Sequence, residues 1–138
     1  MITRKIGLDI GDKRIGIAVS DPSGILASPL TIIDGDNYIT AINAILDVID
    51  KQQVTQIIIG LPLVLDGSIG IQAKKVKEFT QKLRQYTKIT IKYRDERLTT
   101  VSANRLMQNV TGKKAKNRLR KDAIAAALIL QGYLDESH

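Results

Sequence analysis

Three carboxylates stand where the residues around them call for something else. Asp9 interrupts the apolar run Ile6 to Ile10, inside the stretch KIGLDIGDKRIGIAVSD that spans 5–21. Burying a bare carboxylate is costly, so Asp9 requires either a partner or a cleft. Glu96 comes just after the strand-like stretch Ile89 to Tyr93, within Arg94-Asp95-Glu96-Arg97. Asp122 marks the point where a cationic segment gives way to the wholly apolar Ala123 to Leu130. Carboxylates converging from such distant parts of a chain repel one another and raise at least one pKa, unless a divalent cation compensates them. The chain has no cysteine, and its single histidine, His138, is the last residue. Oxygen-only donors of this kind favour Mg2+ or Mn2+ over zinc. Two such ions flanking a phosphate could activate water and stabilise a leaving oxygen.

Elements must bring these side chains together. Ile6 to Ile10 and Ile15 to Ser20 are short, β-branched runs separated by Gly11-Asp12-Lys13, which reads as a β-hairpin. Asp21-Pro22-Ser23-Gly24 is a further turn, and Ile25 to Ile33 reads as a third strand, with Ser28-Pro29 confining it to an edge. After Asp34-Gly35-Asp36-Asn37, a loop with a helix cap, Ile39, Ile42, Ile45, Leu46 and Ile49 share one face of a helix that ends near Gln53. Ile57-Ile58-Ile59 has no alternation, as expected of a strand covered on both faces. A helix over 71–86 turns Val76, Phe79 and Leu83 inward and carries Lys74, Lys75, Lys77, Lys82 and Arg84 elsewhere. Ile89 to Tyr93 is the fifth strand. Thr99 or Thr100 can cap a helix with Ala103, Leu106, Met107 and Val110 in one stripe. A basic loop follows, and a last helix runs from about Asn117 to Leu134.

The order βββαβαβαα is α/β with a mixed five-stranded sheet. Right-handed crossovers place the strands in the order 3-2-1-4-5. Asp9 and Glu96 then end at one edge, the carboxyl ends of parallel strands, where ligands of such sheets collect. Taken singly, each carboxylate has a plainer reading. Asp9 could bond the backbone of Gly11 to Lys13, Glu96 could pair with Arg94 or Arg97, and Asp122 could favour a helix N-terminus. Their joint placement at one edge tilts the balance toward a shared role.

At 138 residues the chain reads as a single domain over 1–138, large enough to bury a core without staples. It has neither a signal-like start nor an apolar run long enough to span a bilayer, so a soluble, cytoplasmic protein is expected. Its formal net charge is +7. Lys113, Lys114, Lys116, Arg118, Arg120 and Lys121, with no acidic residue among them, account for nearly all of that excess. Such a segment favours a polyanion, nucleic acid before membrane, because each phosphate neutralised releases counterions. A solvated loop that merely aids solubility is the competing explanation. Lys13 and Arg14 in the first turn could also touch a phosphate, and Gly60-Leu61-Pro62 with Asp66-Gly67-Ser68 could offer backbone donors to one.

Four blocks in this order resemble the YqgF/RuvX family: LDIGDKRIGIAVSD (8–21), GLP with DGS (60–68), DERLTT (95–100) and KDAIAAALILQGYL (121–134). The family consists of small RNase H-like proteins labelled Holliday junction resolvases and associated with maturation of the 5′ end of pre-16S ribosomal RNA. The resemblance covers nearly the whole chain. It implies an RNase H-like fold, a catalytic and metal-binding triad of Asp9, Glu96 and Asp122, a Mg2+ or Mn2+ cofactor, and a structured nucleic acid as substrate. Val64, Leu65, Ile69 and Ile71 depart from the family's more polar loop, which leaves the carboxylates unaffected.

The function expected is therefore a hydrolase: a metal-dependent nuclease acting in ribosome biogenesis on pre-rRNA, with branched DNA as the alternative substrate. Lys13, Arg14, Lys113, Lys114, Lys116, Arg118, Arg120 and Lys121 would contact the nucleic acid. Partners would include a ribosomal subunit and, to suit a symmetric junction, a second copy of the chain, but no membrane. Two other classes compete. A non-catalytic ribosome-associated module would show no Mg2+ or Mn2+ binding that depends on Asp9 and Glu96. A nucleotide-binding phosphotransferase, suggested by the Asp-x-Gly hairpin, normally needs two such domains, and this chain has room for one.

Overall fold

Alternation makes the central strand two-sided: Ile6, Leu8 and Ile10 point to one face and Gly7 and Asp9 to the other. A computed structural model describes residues 3–63, 69–96 and 114–136, the last range with its side chains from 121 onward. In chain order the elements are β1 (Arg4–Ile10), β2 (Arg14–Ser20), β3 (Ala27–Asp34), α1 (Tyr38–Gln52), β4 (Val54–Leu61), α2 (Ile71–Arg84), β5 (Thr90–Asp95) and α3 (Lys114–Glu136). The sheet order is β3-β2-β1-β4-β5, as the sequence implies. β1 pairs antiparallel with β2 and parallel with β4, and β5 extends the parallel half.

The two faces of the sheet are built differently. On one, Ile6, Leu8, Ile15, Ile17, Ile57 and Ile59 pack against Ile42 and Ile45 of α1 and Val76 and Leu83 of α2. On the other, among the described residues, it is α3 that lies across β1, β2, β3 and β4. Its buried side chains there are Ala126, Ala127, Ile129, Leu130 and Leu134, resting on Ala18 and Ile58. Small residues on both partners let helix and sheet approach closely. At Gly16 the approach leaves no room at all, since a Cβ there would collide with the backbone carbonyl of Asp122. Among the described residues no helix is long and apolar enough to cross a membrane.

Several expected boundaries shift for local reasons. β3 begins at Ala27 rather than Ile25, because the Asp21 carboxylate accepts hydrogen bonds from the backbone N–H groups of Ile25 (2.8 Å) and Leu26 (2.9 Å) and holds them in a turn. Ile39 lies too close to the start of α1 to reach the core and is exposed, whereas Ile42 and Ile45 are buried. Asn37 is the α1 cap, accepting from Ile39 and Thr40, and Gln53 ends the helix in the left-handed region at φ 55°. The last helix starts earlier than the expected Asn117: α3 begins at Lys114, so Lys114 and Lys116 join Arg118, Arg120 and Lys121 on its opening turns. Lysine, arginine and alanine are good helix formers, and a charge run does not break a helix. Lys113 and the expected helix carrying Ala103, Leu106, Met107 and Val110 lie outside the described residues.

Candidate active site

Asp9 is the last residue of β1 to face α3, directly opposite Gly16 on β2. The β4–β5 register sets Gly60 beside Arg94 and Leu61 beside Asp95, so Glu96 leaves β5 immediately past the end of β4. There its side chain lies across Gly60, where a Cβ would stand 2.5 Å from Glu96 Oε1. Any larger residue at position 60 would push the carboxyl group away. Glu96 and Asp9 thereby meet in a side-chain hydrogen bond. Burial, with the Asp9 charge added, pushes the Glu96 carboxyl up to about 8. Asp9 is also raised, by burial first and by the charge of Asp122, while its bond to Glu96 pulls the other way. At neutral pH the proton therefore resides on Glu96, whose O–H donates to the Asp9 carboxylate. Two acids in one half-buried place have settled on sharing a proton.

Asp122 reaches the same edge from the third direction. The contact of its backbone with Gly16, the residue paired to Asp9, fixes where α3 crosses the hairpin. Its charge acts on Asp9, but its side chain turns to Arg14, whose Nε donates to Oδ2 at 3.0 Å. Among the described residues no three His, Cys, Asp or Glu side chains are gathered tightly enough to hold a metal ion. The fold thus joins Asp9 to Glu96 and brings Asp122 into electrostatic range, with Arg14 drawing it aside. In donor chemistry the set suits a small hard cation, since all three candidate side chains offer carboxylate oxygens.

The other candidate residues distribute unevenly. Arg14 opens β2 and is committed to Asp122, whereas Lys13 is exposed in the turn before it. Lys121, beside Asp122, is exposed as well. Gly60 and Leu61 belong to β4, and Asp66-Gly67-Ser68 lies outside the described residues. Arg94 does not pair with Glu96. Its guanidinium runs beneath Gly132 of α3, only 9% exposed, and Nη2 donates to Glu136 Oε1 at 2.8 Å. The sequence reading missed the structural roles of Gly16 and Gly60. A signal existed, since an isolated glycine inside a strand marks close approach by another backbone or group. No such signal links Arg14 to Asp122 across 108 positions.

Comparison with known proteins agrees with this architecture. The chain is 47% identical over 132 residues to a Roseiflexus sp. (strain RS-1) protein named "Putative pre-16S rRNA nuclease", covering 96% of this chain and 94% of that one. A protein of the same name from Caldanaerobacter subterraneus is 41% identical over 133 residues, with 96% of each chain covered. Among solved structures, Thermus thermophilus RuvC superposes with a TM-score of 0.57 at 10% identity, covering 97% of this chain and 96% of its own. The fowlpox virus Holliday junction resolvase gives 0.57 at 14% identity, covering 96% and 99%. At those identities the structural likeness is one of fold, the RNase H-like sheet with its covering helices. Residues 3–136, which include the whole sheet and α3, match the RuvX family, described as "Holliday junction resolvase", and it is to this family that the chain belongs.

Proposed function

We propose that the chain is a metal-dependent nuclease that hydrolyses phosphodiester bonds in structured RNA, acting in the cytoplasm on the 5′ end of pre-16S ribosomal RNA. The observation that carries this reading is the Asp9–Glu96 pair, two acids from β1 and β5 sharing one proton within the field of Asp122. The names of the relatives at 47% and 41% identity support the choice of RNA. Asp9, Glu96 and Asp122 would hold Mg2+ or Mn2+, and a pair of such ions would supply activation of water and charge compensation at the phosphate.

The chain's own residues prepare that event. Asp9 is anchored by the hairpin, and Glu96 is fixed over Gly60, so neither carboxylate has to search for its place. Glu96 must give up its proton before it can ligate, so metal uptake below pH 8 releases protons to solvent. Lys13, Arg14 and Lys121, with Lys113, Lys114, Lys116, Arg118 and Arg120 at the start of α3 and just before it, would hold the phosphate backbone without reading sequence. Branched DNA is the second reading, favoured by the description of the family itself.

Purified protein incubated with Mn2+ on a ribosomal RNA precursor and on a four-way DNA junction, side by side, tests both. Cleavage of the precursor that is lost in Asp9→Asn supports the first reading. Cleavage of the junction alone selects the second. Full activity in Asp9→Asn overturns the assignment of the site.

A further inference from the structure

The ion pair between Arg14 and Asp122 has no part in holding the sheet together. β2 is already paired on both sides, and α3 is already seated on Gly16 and Ala18. What the pair does is local: it occupies Oδ2 of the one candidate ligand not in contact with the other two, at 3.0 Å from the guanidinium Nε. Arg14 and Gly16 are two apart on β2 and so share a face, and it is the backbone of Asp122 that touches Gly16. The arginine is therefore delivered to this carboxylate by strand register rather than by chance of a long side chain.

An arginine here and a divalent cation compete for the same charge. Both neutralise Asp122, and the Oδ2 oxygen that accepts from the guanidinium is not free for an ion shared with Asp9 and Glu96. The side chains are 46% and 29% exposed, so the pair is solvent-screened and weak, easily exchanged for a stronger partner. We propose that Arg14 is a displaceable internal counter-ion that holds Asp122 out of the metal site until a divalent cation takes its place. Arg14 is in this sense a positioning residue: it acts through Asp122 and sets how tightly the cation binds. The inference rests on the reading of Asp9, Glu96 and Asp122 as cation ligands, which the experiment tests separately.

Calorimetric titration of the full chain with Mn2+ alone provides the test, applied to the wild type, Arg14→Gln, Asp122→Asn and the double variant, with Arg14→Lys as the charge-preserving control. Arg14→Gln should bind Mn2+ roughly two- to fivefold tighter, the scale set by a half-exposed ion pair. Arg14→Lys should stay near the wild type. In the Asp122→Asn background the same Arg14→Gln change should have no effect, whereas mere removal of a nearby positive charge would still tighten binding there. Equal or weaker Mn2+ binding by Arg14→Gln, or tightening that persists without Asp122, overturns the proposal while leaving the metal site standing. Absence of Mn2+ binding from both wild type and Arg14→Gln overturns the metal site and this proposal together.

Discussion

The sheet has one face made for cohesion and one made for proximity. Toward α1 and α2 it presents isoleucine and leucine at almost every position, and the helices stand off by the thickness of those side chains. Toward α3 it presents Gly7, Gly16, Ala18 and Gly60, and the helix comes down until backbones touch. Removing bulk from a face forfeits burial, at roughly 25 cal/mol for each Å2 of apolar surface left uncovered. In return, the second face brings acidic groups from β1, from the end of β5 and from α3 to one edge. A nuclease site needs that closeness, and the first face supplies the stability that lets the second do without bulk.

Breaking the cohesive face should be the most destabilising change. Ile45, fully buried on α1 and remote from the carboxylates, is the place to do it. Ile45→Ala should lower the unfolding free energy by about 2–5 kcal/mol in denaturant melts while activity per folded molecule holds. Gly16→Val attacks the other face. It forces α3 off the hairpin at the Asp122 carbonyl, and overpacking of this kind costs about 1–3 kcal/mol. Here cleavage should vanish even under conditions where the chain remains folded. If Gly16→Val cleaved normally, close approach of α3 would not matter to the site.

A smaller and more diagnostic effect comes from protons. Below pH 4.5, the ordinary value for a glutamate, Glu96 is protonated whether the chain is folded or not. Between there and about 8 only the folded chain keeps that proton, so raising the pH draws the equilibrium toward the unfolded state. The raised Asp9 adds with the same sign. Without metal, the Tm should therefore fall as the pH climbs through this window. Glu96→Gln should flatten the fall and melt above the wild type at pH 8. Mg2+ or Mn2+ should restore the wild type but not the variant. A Tm that rises with pH across the same range would contradict the shared proton. The smallest change expected is at Lys121: Lys121→Gln should reduce the slope of log K against log salt for nucleic-acid binding by about one. An unchanged slope would remove that residue from the interface.

How much of this was legible in the sequence follows from how local the signals are. Strand order could be read because Ile57-Ile58-Ile59 announces a doubly covered strand and crossover handedness leaves few alternatives. Asp9 and Asp122 were conspicuous because each breaks an apolar pattern. Glu96 was harder, since RDER offers it two arginines next door, and only the register of β4 against β5 turns it toward Asp9 instead. The commitment of Arg14 to Asp122 and the burial of Arg94 under Gly132 are tertiary facts with no local trace. The last helix begins at Lys114 rather than near Asn117, because a run of lysines marks no boundary and lysine and alanine favour the helix.

Anomalous diffraction from a crystal soaked in Mn2+ addresses the site without recourse to any assay. The account requires a manganese peak coordinated by Asp9 and Glu96 carboxylate oxygens, with Asp122 rotated off Arg14 to join them. Strong peaks elsewhere, and none between these residues, would contradict it.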